Sequence, residues 1–182
     1  MILKMPITNE NDILYVHAGD IVYITGVIYT ARDAASKRLD DLIKEGKDLP
    51  IDLLNQGIYY VGPTPAKPGE VIGSCGTTYS YRMDVYMEGL MKKGLKVMIG
   101  KGPRSEEYKE LLKKYKGLYL SCIGGCGCLI KDSVKKCDLV CYDDLGCEAI
   151  YRLEVEDLYT ICTYDAYGND LFLNGQIKWS GK

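Results

Sequence analysis

Ile21-Val22-Tyr23-Ile24-Thr25-Gly26-Val27-Ile28-Tyr29, running straight into Thr30-Ala31-Arg32-Asp33, decides the class of fold. The first run is β-branched and aromatic, which predicts a buried strand. Thr30 and Asp33 have the spacing of a helix start, with Thr30 as the cap and Asp33 answering it three residues later. Ala35, Leu39, Leu42 and Ile43 then give the helix one apolar face, and Gly46 stops it. A strand delivered directly into an amphipathic helix is the unit of an α/β protein. Arg32 falls in the first turn, where a cation opposes the helix dipole. Its placement makes physical sense if an anion uses both the guanidinium and the free N–H groups, or if the side chain forms a surface salt bridge.

Working toward the C-terminus, Gln56 to Pro63 predicts a second short strand ending in a turn. Pro63, Pro65 and Pro68 hold the next segment extended. The small-residue stretch Gly73-Ser74-Cys75-Gly76-Thr77-Thr78 follows, with Arg82 beyond it and Met83, Tyr86, Met87, Leu90 and Met91 at helical spacing. Free N–H groups at a helix start, close-approach glycines and an arginine together form an anion site, although such turns also serve as plain connections. Leu95 to Ile99 predicts a strand that ends at Gly100-Lys101-Gly102, so Lys101 sits where α/β proteins bind ligands. The surrounding residues are not those of a P-loop, which excludes nucleotide binding of that kind.

Ser105 starts the next helix, which carries acidic residues first and lysines last, before Gly117. Leu118 to Ile123 reads as a strand, Leu129 to Lys136 as a short helix, and Asp138 to Tyr142 as another strand. Glu148 to Val155 is expected to be a short helix, and Leu158 to Tyr164 to pair with Asp170 to Leu173 as a hairpin. Residues 1 to 20 are expected to be irregular, and the single histidine, His17, to have no catalytic role.

The 182 residues are expected to form one domain, with 47% hydrophobic residues to fill a core. A formal charge of -2 gives no electrostatic case for nucleic acid or an anionic membrane. The first twenty residues carry Lys4, Glu10, Asp12 and Asp20, unlike a signal peptide, and the expectation is a cytoplasmic protein without membrane spans. Eight cysteines, seven of them in the second half, match neither paired zinc motifs nor ferredoxin runs. They are read chiefly as small buried apolar side chains, with a metal or redox module as the alternative.

Several of these stretches, in this order, resemble one family. They are Tyr29-Thr30-Ala31-Arg32-Asp33-Ala34-Ala35-Ser36-Lys37-Arg38, Tyr60-Val61-Gly62-Pro63, Gly73-Ser74-Cys75-Gly76-Thr77-Thr78-Tyr79-Ser80-Tyr81-Arg82-Met83-Asp84 and Gly100-Lys101-Gly102. Glu148-Ala149-Ile150, Arg152 to Asp157 and Gly168-Asn169-Asp170 continue the match. The family is the β subunit of iron–sulfur (class I) fumarate hydratase and L(+)-tartrate dehydratase, equivalent to the C-terminal domain of the single-chain enzymes.

The resemblance implies a three-layer swivelling β/β/α domain. It also implies an α subunit that holds a four-iron, four-sulfur cluster through its own cysteines, assembled as a heteromer such as a dimer of αβ pairs. The implied reaction is reversible hydration of a small dicarboxylate, with the cluster iron as Lewis acid. By motif match, Arg32, Arg82 and Lys101 would hold substrate carboxylates, and Thr78 would take the proton-transfer position; no metal ligand is implied in this chain. Ser36 stands where the family usually has histidine, and Thr77-Thr78-Tyr79 where it has proline–threonine–threonine. These departures leave open a subunit that only assembles or binds a small anion.

Overall fold

The computed structural model describes residues 1–181. In it the opening run forms β2 (Ile21–Thr30), the strand through which most of the sheet is connected. The other strands are β1 (Ile2–Met5), β3 (Gly57–Tyr59), β4 (Val97–Gly100), β5 (Leu118–Ser121), β6 (Val134–Cys141) and β7 (Ile150–Tyr164). The helices are α1 (Asn11–Leu14), α2 (Asp33–Lys44), α3 (Asp84–Lys92), α4 (Glu106–Tyr115), α5 (Gly127–Lys131) and α6 (Leu171–Trp179).

Strands β1 to β5 lie side by side in sequence order and run parallel. The fifteen-residue β7 is antiparallel to β2, β5 and β6. Because β7 pairs with β5 along one part and with β2 along another, β2, β3, β4, β5 and β7 close into a small barrel, with β1 and β6 outside it. Closure removes the free edges that five short strands would otherwise expose.

Successive strand residues point to opposite faces, and the core divides accordingly. Tyr59, Val61, Val97, Ile99, Leu118, Leu120, Val22, Ile24, Leu153 and Val155 fill one buried cluster between the walls of the barrel. The intervening Ile58, Tyr60, Met98 and Tyr119 belong to a second cluster with Ala35 and Leu39 of α2, Met87 and Leu90 of α3, and Tyr108 and Leu112 of α4. The layering is therefore two β walls and one helix layer. Each buried Leu, Ile or Val contributes about 1.5–3 kcal/mol relative to exposure. The parallel arrangement also places the carboxyl ends of β2, β3, β4 and β5 at one end of the barrel.

Several expectations are corrected. The helix expected from Glu148 to Val155 is not formed: Glu148 ends a 3-10 turn, Asp143–Glu148, and Ile150 begins β7, whose first half pairs with β2 on one side and β6 on the other. Tertiary pairing here agrees with the β-branched and aromatic content, which local helical spacing had overridden. The expected hairpin is absent, because only a single bridge joins Tyr164 and Asp170. Asp170 instead caps α6, accepting the Leu173 N–H at 3.0 Å. The helix expected from Leu129 to Lys136 is α5, and it gives way to β6 at Val134. The N-terminal twenty residues include β1 and α1. Thr30 is the last residue of β2 rather than a cap; its hydroxyl donates to the Ala149 carbonyl and accepts the Tyr151 N–H. Ser105 does cap α4, accepting the Tyr108 N–H at 3.1 Å.

Candidate functional site

At the carboxyl ends of parallel strands the backbone stops pairing, and this is where α/β sheets commonly place their ligand sites. Arg32 lies two residues past β2, as the cap residue of α2 with an extended backbone and no side-chain cap of its own. Its Nη2 is 3.3 Å from Glu148 Oε1, and Glu148 Oε2 accepts the Ala34 N–H at 3.2 Å. The anion that an arginine in this position calls for is thus supplied by the same chain. Arg32 Nε is buried without a hydrogen-bond partner.

Thr78 is held by its N–H, which donates to the Tyr60 carbonyl at 2.8 Å just past β3. Beside it, Thr77 is buried with its Oγ1 2.8 Å from the Tyr59 hydroxyl. Lys101 follows β4 directly, and its backbone is tied twice to Ser80. The Ser80 N–H donates to the Lys101 carbonyl at 3.1 Å, and the Lys101 N–H donates to Ser80 Oγ at 3.1 Å. The Lys101 side chain runs toward Gly124 in the loop after β5, and among the described residues it forms no ion pair. Tyr79 lies across Gly102, whose positive φ of 81° and lack of a side chain allow the contact; a Cβ there would stand 2.3 Å from the ring.

Arg82 sits in a single 3-10 turn, Tyr81–Met83, ahead of α3. Its guanidinium grips Asp33 with two prongs, Nε to Oδ1 at 2.9 Å and Nη2 to Oδ2 at 3.1 Å. Asp33 is next to Arg32, so both arginines gather at the N-terminus of α2. Thr78 and Arg82 share one stretch, and Ser80 between them bonds Lys101. All four sequence-selected residues are therefore placed at one end of the barrel.

The amides of the 73–80 turn are another correction. Those of Ser74, Cys75, Thr78 and Ser80 donate to Thr64 Oγ1 and to the carbonyls of Gly127, Tyr60 and Lys101. These four are engaged inside the protein, which leaves the cationic side chains as the main groups an anion would meet here.

Beneath this surface, the loop carrying Lys101 is bolted to the helix following Arg82. Asp84 accepts from Arg104 Nε with one carboxylate oxygen and from the Ser105 N–H, at 2.8 Å, with the other. The Arg104 side chain is fully buried, its guanidinium carbon 3.6 Å from the Tyr108 ring centre, 4.7 Å from that of Tyr119 and 5.4 Å from that of Tyr60. Burial pushes the Tyr60 hydroxyl up to about 12 and raises that of Tyr108, so these rings face the cation as neutral phenols. The Tyr119 hydroxyl donates to the Gly102 carbonyl at 3.1 Å, fixing the same loop again.

The sequence reading did not single out Glu148, Asp84 or Arg104 for this end of the molecule. Glu148 is 114 residues from the amide it accepts, and nothing local announces that contact. Asp84 had one visible signal, its position two residues past Arg82.

The cysteines divide. Cys75, Cys122 and Cys162 are buried, whereas Cys128 and Cys147 are exposed, so the core-filler reading is corrected for those two. Among the described residues no group of three or more His, Cys, Asp or Glu side chains is arranged to hold a metal ion. No described helix is long and apolar enough to cross a membrane.

The family described as Fumarase C-terminus matches residues 2–175. The chain belongs to the fumarase C-terminus family. Over 151 residues this family member is 40% identical to "Fumarate hydratase class I, anaerobic" of Escherichia coli, a match covering 82% of the chain and 28% of that protein. It is 34% identical over 173 residues to "Fumarate hydratase 2" of Leishmania major, covering 93% and 30%. A protein of Methanocaldococcus jannaschii, "Putative L(+)-tartrate dehydratase subunit beta", is 37% identical over 169 residues, covering 90% of this chain and 87% of its own length. The chain spans less than a third of the length of the two fumarate hydratases. The relatives of this fumarase C-terminus chain thus carry the names of fumarate hydratases and of a putative tartrate dehydratase β subunit.

Proposed function

We propose that the chain is the β subunit of a hydro-lyase that reversibly hydrates a small dicarboxylate, fumarate to malate or tartrate to oxaloacetate by dehydration, in partnership with an α subunit. The supporting observation is the gathering of Arg32, Arg82, Lys101 and Thr78 at the carboxyl ends of the parallel strands. In this reading residues 1–182 work as one swivelling β/β/α domain in the cytoplasm, within a heteromer such as a dimer of αβ pairs. A four-iron, four-sulfur cluster does not fit this chain's own thiols. Among the described residues no three cysteines converge as cluster ligands, and burial raises Cys75 and Cys122 against thiolate formation, so the cluster is assigned to the α subunit.

Arg32, Arg82 and Lys101 hold and orient the carboxylates of the diacid. Orientation itself lowers the barrier, because elimination requires the departing proton and hydroxyl to be aligned. Thr78 faces the carbon-bound proton. A threonine hydroxyl is a weak base, so a carboxylate from the α subunit completes that step.

Kinetics of variants in the αβ complex test the roles. Arg82→Ala removes charge-assisted hydrogen bonds worth about 1.5–3 kcal/mol, so kcat/KM is expected to fall roughly 10- to 100-fold. Thr78→Ala is expected to lower kcat by about 10²–10⁴. Full activity in either variant would remove that residue's role. A second reading, a subunit that assembles without catalysing, draws on the fact that Arg32 and Arg82 each already hold an internal carboxylate. It predicts a stable complex that turns over none of these diacids.

A further inference from the structure

Glu148 touches both the Arg32 side chain and the start of the helix behind it. One carboxylate oxygen pairs with Nη2 at 3.3 Å, and the other accepts the Ala34 N–H at 3.2 Å. The guanidinium also lies against Gly62, where a Cβ would stand 2.6 Å from Nη1, 3.1 Å from Cδ and 3.0 Å from the Cys147 carbonyl. Arg32 is therefore packed against a glycine that can carry no side chain and against the 3-10 turn Asp143–Glu148. Its own helix offers no alternative anchor, since α2 lacks a side-chain cap and the Thr30 hydroxyl is engaged with Ala149 and Tyr151. An unanchored arginine samples many rotamers, and a ligand that fixes it must bear that entropy.

We infer that Glu148 is the positioning residue of Arg32. Its carboxylate caps α2 from a distant loop and holds one edge of the guanidinium, presenting the exposed remainder to a substrate carboxylate in a single orientation. This rests on the reading that Arg32 holds a substrate carboxylate. Because Arg32 itself remains in Glu148 variants and still orients the bound carboxylate, what is lost is the prior fixing of the guanidinium, a cost met on binding that belongs chiefly in KM.

The test uses the αβ complex with fumarate, malate and tartrate, and adds guanidinium ion as a probe. Glu148→Ala is expected to raise KM about three- to tenfold with kcat within about twofold, and Glu148→Gln, which keeps an acceptor, to lie between it and wild type. Arg32→Ala leaves a space bounded by Gly62 and Glu148. Guanidine hydrochloride at millimolar concentration is expected to restore activity there, and to fail in the Arg32→Ala, Glu148→Ala double variant. Equal rescue in both backgrounds, an unchanged KM in both Glu148 variants, or a lowered KM would overturn the inference. The last result would make Glu148 a competitor of the substrate. If Arg32→Ala keeps wild-type kinetics, or the wild-type complex turns over no diacid, the parent reading falls and this one with it. An impaired Arg32→Ala beside unaffected Glu148 variants defeats this inference alone.

Discussion

Asp84→Asn is the substitution whose cost the geometry defines most closely. Asp84 satisfies two donors, Arg104 Nε and the Ser105 N–H, and its side chain is 10% exposed while that of Arg104 is fully buried. An asparagine offers one acceptor oxygen, and its NH2 group must then face one of the two donors. The variant also leaves a buried guanidinium without its counter-charge, a change that costs about 3–5 kcal/mol in comparable sites. The cation–π contacts of Arg104 with its tyrosine rings are the same in both proteins and cancel, while the retained amide oxygen still accepts from one donor, so the expected loss is near the lower bound, about 3 kcal/mol. For a chain of this length that is a fall in Tm of roughly 6–12 °C. Urea unfolding of the chain should show a lower midpoint with an unchanged slope. A double variant, Asp84→Asn with Arg104→Met, should be more stable than Asp84→Asn alone, because the stranded charge is gone. A loss below about 1 kcal/mol, or a double variant less stable than the single, would refute the argument that the pair is a buried, mutually dependent unit.

Alkaline pH should destabilise the fold beyond what ordinary deprotonation of surface groups explains. Burial raises Cys75 and Cys122 to about 12 in the folded chain, above the roughly 8.5 of an unfolded thiol, so their contribution is complete below about pH 8.5 and is lost as pH rises toward 12. Each adds a slope of about 1.4 kcal/mol per pH unit in that window, and Cys75→Ala should remove one such increment from urea midpoints measured between pH 9 and 11. Gly102→Ala should cost about 1–3 kcal/mol, combining left-handed backbone strain with overlap on Tyr79; adding Tyr79→Ala should recover only the steric part in thermal melts. Asp170→Ala removes the cap of α6 and a 3.0 Å contact to Lys109 Nζ, costing about 1–2 kcal/mol, and faster amide exchange confined to α6 would report it.

How much was legible follows from where each contact lies in the chain. β2, β4 and β5, with α2, α3 and α4, announce themselves because their apolar spacing, caps and glycine stops are local. β7 was misread in its first half because Ile150, Tyr151, Leu153 and Val155 become a strand only through pairing with β2 and β6, more than a hundred residues away in the first case. β1 was overlooked as a four-residue edge strand whose partner begins at Tyr23. At the candidate site the cations were readable, since Arg32, Arg82 and Lys101 stand beside turn residues at element ends. Their internal partners were less so. Asp33 has the spacing of a capping residue and instead holds Arg82, while Glu148 reaches Arg32 from the end of a 3-10 turn 116 positions further along the chain. Ahead of the start of α3, the amides of Cys75, Thr78 and Ser80 are taken up by carbonyls of Gly127, Tyr60 and Lys101, distant contacts that no local pattern announces.

The decisive measurement is anaerobic turnover of fumarate, malate and tartrate by this chain co-produced with a cluster-bearing α subunit, beside each subunit alone. The account predicts activity in the pair and none in either subunit by itself, with Arg82→Ala impairing the pair without dissolving it. A stable pair, with its cluster intact, that turns over none of the three diacids would contradict it.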